Sequence, residues 1–230
     1  MRTLTTIGAL AMLLQQAAAN LDVVTLIAQP GVYIQEASAT LVLPDIPNPI
    51  SGDVALWSAI MMQNQQSFLQ GVTENAPPGM GYCSNLGKKW CNFAYALING
   101  SSEPRNGNTI AASPGSHVKT QYKLNPQTQM WDQNVYIDNK LASTISTSKG
   151  QHGEILYISM ECARGNCATT PAHSWENVSI TLSKADPSFG HSGRWEQGAT
   201  GGQMSTSDGG KSWKFTTLRV PATRVPSNEP

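Results

Sequence analysis

The sequence predicts an all-β protein, two antiparallel sheets packed face to face as a β-sandwich. Three observations carry that prediction. Short runs rich in Val, Ile, Thr, Tyr and Trp recur along the chain, about ten to thirteen of them. Turn signals separate them, among them Pro77-Pro78-Gly79, Ser113-Pro114-Gly115, Asn125-Pro126 and Asp138-Asn139-Lys140. No stretch repeats apolar residues at the spacing of a long amphipathic helix.

Taken in order, residues 1–19 read as a secretory signal. Arg2 supplies the positive start, Ile7 to Leu14 a brief apolar run, and Ala17-Ala18-Ala19 the small residues before a cleavage site. That run is far shorter than the ~20 residues needed to cross a bilayer. Residues 20–31 form a lead-in, in which Leu21 to Ala28 is either a strand or the remnant of a pro-segment. A single sandwich domain spans residues 32–220. Val32 to Leu43 is its first strand, ended by Pro44, Pro47 and Pro49, which lack the amide hydrogen that a sheet needs.

Asp53 to Ile60 and Phe68 to Val72 are the next strands, joined by the polar connection from Met61 to Ser67. Trp90 to Ile98 turns Trp90, Asn92, Ala94, Ala96 and Ile98 one way and Cys91, Phe93, Tyr95 and Leu97 the other. Thr109 to Ala111, His117 to Leu124 and Met130 to Ile137 follow. Asp138-Asn139-Lys140 then makes a tight hairpin turn, and Leu141 to Ser148 is a half-exposed strand. Glu154 to Met160 is the strongest strand of the second half, Trp175 to Leu182 alternates cleanly, and Lys211 to Val220 closes the domain. Asp186 to Gly210 reads mostly as loop, and residues 221–230 as a disordered tail.

Composition narrows the partners. The formal charge is zero and only 13% of residues are charged, so no basic stripe is present to neutralise nucleic-acid phosphates. No segment is apolar enough to span a membrane, and the protein is expected to be secreted. In an exported chain four cysteines favour disulfides. Cys83 with Cys91 and Cys162 with Cys167 suit local pairing, although sequence does not choose among the possible connectivities. The cysteine intervals do not suit paired metal knuckles and the histidines are scattered, so neither a metal nor another cofactor is expected. Asn99-Gly-Ser101 and Asn177-Val-Ser179 are acceptor sequences for N-glycosylation, which would place both asparagines at the surface.

Two residues could carry chemistry. Gln70 is a lone amide between Leu69 and Gly71. Buried without partners it would cost about 1–3 kcal/mol, so it is either a structural bridge or a group facing a cleft. Glu154 heads an apolar strand, where it either turns into water or lies on a desolvated groove with a raised pKa. A carboxylate and an amide across a groove suffice for hydrolysis, the acid activating water and the amide holding the oxyanion. His152 is a second proton-transfer group or a loop histidine. Glu36 is a surface acid or a groove acid, and a His173-Ser174-Glu176 triad would require a bulge. Trp57, Trp131 and Trp175 suit a sandwich core, with Trp57 the best of them for lining a groove.

These residues resemble the fungal glutamic peptidases, the eqolisin group. Trp57 followed by Ser67-Phe68-Leu69-Gln70-Gly71 is similar to the strand pair that ends in that family's catalytic glutamine. Gly153-Glu154-Ile155-Leu156-Tyr157-Ile158 resembles its catalytic glutamate strand, Ala-Glu-Trp-Ile-Val-Glu. The Ser113–Gly115 turn, Trp131 and the strand from Trp175 to Leu182 also fit. The resemblance implies a jelly-roll, concanavalin A-like sandwich with Gln70 and Glu154 as the dyad and Trp57, Trp90 and Tyr95 around the substrate, where His152, two residues before Glu154, would join them. The departures are the loss of the family's acidic residue at Met61, of a groove glutamate in the strand beginning at Trp90, and of the second motif glutamate at Ile158.

The function this implies is a secreted, acid-active, endopeptidase-like hydrolase acting on polypeptide or another extended polymer. Two alternatives stand beside it: a carbohydrate-binding, lectin-like sandwich, and an isomerase, cyclase or lyase acting on a small organic substrate.

Overall fold

The computed structural model describes residues 20–99, 101 and 103–227. The predicted signal segment, residues 1–19, lies outside them. Seventeen strands are present among the described residues. The first half contributes β1 (Asn20–Ile27), β2 (Ile34–Val42), β3 (Asp53–Met62), β4 (Ser67–Asn75), β5 (Trp90–Ile98), β6 (Arg105–Asn106), β7 (Ile110–Ala112) and β8 (His117–Leu124). The second half contributes β9 (Trp131–Ile137), β10 (Lys140–Thr147), β11 (Gly153–Arg164), β12 (His173–Leu182), β13 (Arg194–Trp195), β14 (Thr200–Gly201), β15 (Met204–Ser205), β16 (Ser212–Phe215) and β17 (Leu218–Val220). Two short 3-10 turns, Gln63–Gln65 and Phe189–His191, are the helical elements among the described residues.

Every ladder is antiparallel, as predicted. One sheet runs β7, β5, β4, β3, β11, β1. The other runs β10, β9, β8, β2, β12, with β16 and β17 on its far edge. They meet at a corner where Gly153 of β11 pairs with Ile34 of β2. Between the sheets lie Trp90, Trp131, Trp175, Tyr122 and the aliphatic residues of the long strands, all buried. A smaller apolar cluster sits on the outer face of the first sheet. It contains Trp57, Ala59, Val72 and Phe93, and Leu86 from the loop between β4 and β5 packs onto it. That outer face carries the site.

Strand β4 is fixed from beneath, which positions Gln70. The Tyr122 hydroxyl accepts from the Gly71 amide at 2.7 Å and donates to the Ser58 carbonyl at 2.5 Å. Gln133 Nε2 donates to the Gln70 carbonyl. Gly71 allows the second sheet to approach, because a Cβ there would stand 2.0 Å from Thr120 Oγ1. Burial deprives the Tyr122 phenol of solvation and pushes its pKa up, so it stays a neutral donor.

Several sequence expectations resolve in the structure. The run from Leu21 to Ala28 falls, up to Ile27, in a strand, β1, hydrogen-bonded to β11. Cys83–Cys91 and Cys162–Cys167 are the two disulfides, the local pairing. The hairpin turn is confirmed by Asp138 and Asn139, both at positive φ. Within the stretch from Asp186 to Gly210, which reads mostly as loop, Arg194 and Trp195 form β13 beside β1. The tail was expected to be disordered, yet up to Ser227 it packs. Thr223 bridges to Thr170 and Val225 is buried, because its apolar side chain covers the end of the core.

Candidate active site

Strands β5, β4, β3, β11 and β1 present a ladder of outward side chains. In one row Tyr95, Gln70, Ala59, Tyr157 and Thr25 stand side by side. Two rows further along, Glu74 and Glu161 flank Ala55. Two interstrand spacings, about 9.6 Å, separate the two glutamate backbones. Only the Ala55 methyl group stands between them in the ladder, and both side chains line one hollow. Asp53, one alternation beyond Ala55, adds a third acid.

These residues line a hollow of about 130 Å³, room for roughly four waters. Gln70, Phe68, Phe93, Tyr95 and Tyr82 form its aromatic end, and Asp53, Glu74 and Glu161 its acidic end. The Gln70 side chain is buried at the border of the hollow.

Each acid is held differently. Trp57 Nε1 donates to Glu161 Oε2 at 2.9 Å. Glu74 accepts from the Tyr82 amide, in the loop that Cys83–Cys91 ties to β5. Asp53 Oδ1 is buried without a partner. Burial penalises their charged forms, and their mutual repulsion adds to it, so Asp53 is pushed up to about 8 and Glu74 to about 7. Glu161 is raised as well, chiefly by desolvation, with the Trp57 N–H opposing. Asp22, bonded by Ser159 Oγ at 2.5 Å, is also raised by burial. This face therefore keeps protons that ordinary carboxyl groups have lost by neutral pH.

The sequence-predicted residues distribute unevenly. Gln70 and Tyr95 line the hollow. Glu154 lies elsewhere, at a register shift where Gly153 pairs with Met62 and Ile155 with Met61. Its backbone carbonyl accepts from Ala28. Glu161 is the acid that this strand sends into the hollow, some seven residues and about 23 Å of extended chain further on. The position facing Gln70 across Ala59 is Tyr157. Between them stands the Phe68 ring, edge-on to Trp57 at 5.4 Å and to Tyr157 at 5.9 Å.

Trp90 does not contact the hollow. It faces the inter-sheet core, with Nε1 on the Pro44 carbonyl at 2.9 Å, because alternation turns it away from Tyr95. Trp57 is buried and serves the site through its N–H rather than as a surface for substrate. His152 stacks on Tyr33 at 4.1 Å, at the other end of the strand. Glu36 lies on the second sheet's outer face, paired with Lys123 at 3.4 Å. His173 is buried with Nδ1 on the Pro171 carbonyl and forms no triad. Asn99 and Asn177 are both exposed.

Alternation, carried further, would have found the missing acids. Glu74 continues the series Phe68, Gln70, Val72, and Glu161 continues Tyr157, Ser159. The apolar character of the two strands gives out at Val72 and Met160, so both acids fall just past the strand ends expected from sequence. The bulge at Glu154 carries no sequence signal.

An antiparallel sandwich with a carboxyl-lined hollow on its outer face, beside an amide and an indole donor, defines the class of site. Two solved structures of similar fold are glutamic peptidases. A scytalido-glutamic peptidase with a transition-state-analogue inhibitor superimposes with a TM-score of 0.53 at 12% identity, over 86% of this chain and 98% of that one. SCP-B, a member of the eqolisin family of peptidases in complex with the tripeptide Ala-Ile-His, gives 0.50 at 14% identity over the same shares. The chain thus has the fold of the glutamic peptidases. No family model matches it, and no curated protein matches it by sequence.

Proposed function

We propose that this protein is a secreted, acid-active hydrolase of extended polypeptides, with Glu161 as general base, Glu74 as general acid and Gln70 as a substrate-binding amide. The observation that carries the proposal is the acid cluster. Three carboxyl groups with raised pKa share one small hollow, on the outer face of a fold found in peptidases. The two disulfides suit an oxidising compartment.

Like charges crowded together ionise one at a time, so at acid pH one carboxylate stands among protonated neighbours. Glu161 keeps partial exposure and has the Trp57 N–H to support its charge, whereas Glu74 is nearly fully buried. Glu161 therefore takes the proton from a water as its oxygen attacks the scissile carbonyl carbon. Glu74 gives its proton to the leaving nitrogen as the C–N bond breaks, and Glu161 returns its own proton to Glu74 through water. Asp53, protonated beside them, limits the negative charge that the pair must bear. Gln70 bonds a backbone amide of the substrate toward the aromatic end.

One observation favours a second reading. Tyr82 is 47% exposed and packs on Phe93 at 4.7 Å, a platform on which a sugar ring can stack. Paired carboxyl groups also suit glycosidic bonds. One experiment separates the two readings. The purified protein is incubated at pH 3–7 with an acid-denatured protein and, separately, with a panel of oligosaccharides, and products are read by mass spectrometry. New peptide termini below pH 6, absent in Glu161→Gln, support the peptidase. Cleaved or retained glycans with intact polypeptide would replace it with the second reading.

A further inference from the structure

The opposite face of the sandwich carries a larger concavity, a trough of about 730 Å³, within the ~300–1,000 Å³ typical of ligand sites. Small hydroxyl residues floor it: Ser38 and Thr40 from β2 and Ser179 from β12, with Ser38 and Ser179 bonded at 3.0 Å. Lys119 and Lys214 stand at its sides with Asn139. A floor of hydroxyls walled by ammonium and amide donors recognises polyhydroxylated chains by hydrogen bonding.

Asn177 also lines this trough, and its position is built by a bulge. Between Glu176↔Thr40 and Ser179↔Ser38, β12 spends one residue more than β2. Trp175 and Val178 both turn into the core, so the extra residue turns out beside Glu176. Asn177 has φ 51°, a left-handed conformation that asparagine tolerates better than most residues. The bulge thus presents the amide of an Asn-Val-Ser acceptor sequence, exposed, at the rim of a hydroxyl-floored trough.

We propose that Asn177 carries an N-linked oligosaccharide whose first sugars lie in this trough, covering the outer face of the second sheet. In the covalent step Asn177 Nδ2 loses a proton and bonds to the anomeric carbon of a lipid-pyrophosphate-linked oligosaccharide, and the lipid pyrophosphate leaves with the glycosidic electron pair. The inference is independent of the hydrolase reading, since it concerns the other sheet.

The test uses the full chain secreted from a eukaryotic host. Peptide mapping before and after enzymatic deglycosylation reads occupancy at Asn177 and Asn99. Acetylation of Lys119 and Lys214 by a small reagent, with Lys140 as reference, reads cover of the trough. The expected result is occupancy at Asn177, with Lys119 and Lys214 at least threefold less reactive than in Asn177→Asp, which keeps the left-handed preference. Ser179→Ala, which loses the acceptor sequence but keeps Asn177, restores reactivity, and Ser179→Thr does not. An unmodified Asn177 overturns the proposal. So does an occupied Asn177 with lysine reactivity equal to that of Asn177→Asp, since the sugars then project into solvent.

Discussion

Replacing Trp57 with phenylalanine isolates the hydrogen bond on which the proposed base depends. The substitution keeps an aromatic ring against Phe68 but removes the N–H that reaches Glu161 Oε2 at 2.9 Å. A hydrogen bond to a charged group contributes about 1.5–3 kcal/mol. Its loss penalises only the ionised form, so the Glu161 pKa rises by about 1–2 units at ~1.4 kcal/mol per unit. On the acid limb, rate follows the ionised fraction of the base. The limb of kcat/KM therefore moves to higher pH by about 1–2 units, and the rate on that limb falls roughly ten- to hundredfold. The assay is cleavage of a fluorogenic peptide, chosen from the sites cut in a denatured protein, measured from pH 2.5 to 7. Phe68→Leu is the packing control, since it disturbs the same aromatic group yet leaves the Trp57–Glu161 bond. An unmoved limb in Trp57→Phe, or an equal shift in Phe68→Leu, would refute the reasoning.

Other expectations follow from the same geometry. Gln70→Ala loses one neutral hydrogen bond to substrate, so kcat/KM falls by about tenfold, mostly through KM. A fall of more than a hundredfold in kcat, read by steady-state kinetics, would instead make Gln70 an oxyanion donor. Glu74→Gln abolishes turnover and flattens the alkaline side of the stability curve. A carboxyl whose folded pKa is raised to about 7 stabilises fully below its ordinary 4.5, and that contribution is lost as pH rises through 7. Thermal melts from pH 4 to 8 should therefore fall less steeply in this variant than in the parent. His173 has the opposite sign. Burial lowers its pKa from 6.5 to about 4, so its contribution is present above 6.5 and lost as pH falls toward 4, about 3 kcal/mol in all. Denaturant melts of His173→Gln should show less destabilisation between pH 6.5 and 4 than the parent.

The sandwich was legible because strand alternation and turn chemistry are local. The split of Trp90 from Tyr95 could be read along one strand, as could the Asp138-Asn139 turn and the short disulfide loops. The pairing of acids was not legible, because it depends on register between distant strands. Glu74 and Glu161 are far apart in sequence and meet only because Ala55 lies between them in the ladder. Glu154 heads the strand that matches the glutamic peptidase motif, and only the strand pairing shows that it lies at the Met62 end of β11, whereas Glu161 at the Ala55 end borders the hollow. Gln70 is legible as an isolated amide in an apolar run, whereas the bonds from Gln133 and Tyr122 that fix its strand come from distant parts of the chain.

The most direct test of the account compares Glu161→Gln with Glu154→Gln on one peptide substrate at pH 4, with circular dichroism to show that both are folded. The account predicts that Glu161→Gln is inactive and Glu154→Gln turns over within about twofold of the parent, because only Glu161 borders the hollow. Loss of activity in Glu154→Gln with retention in Glu161→Gln would contradict it.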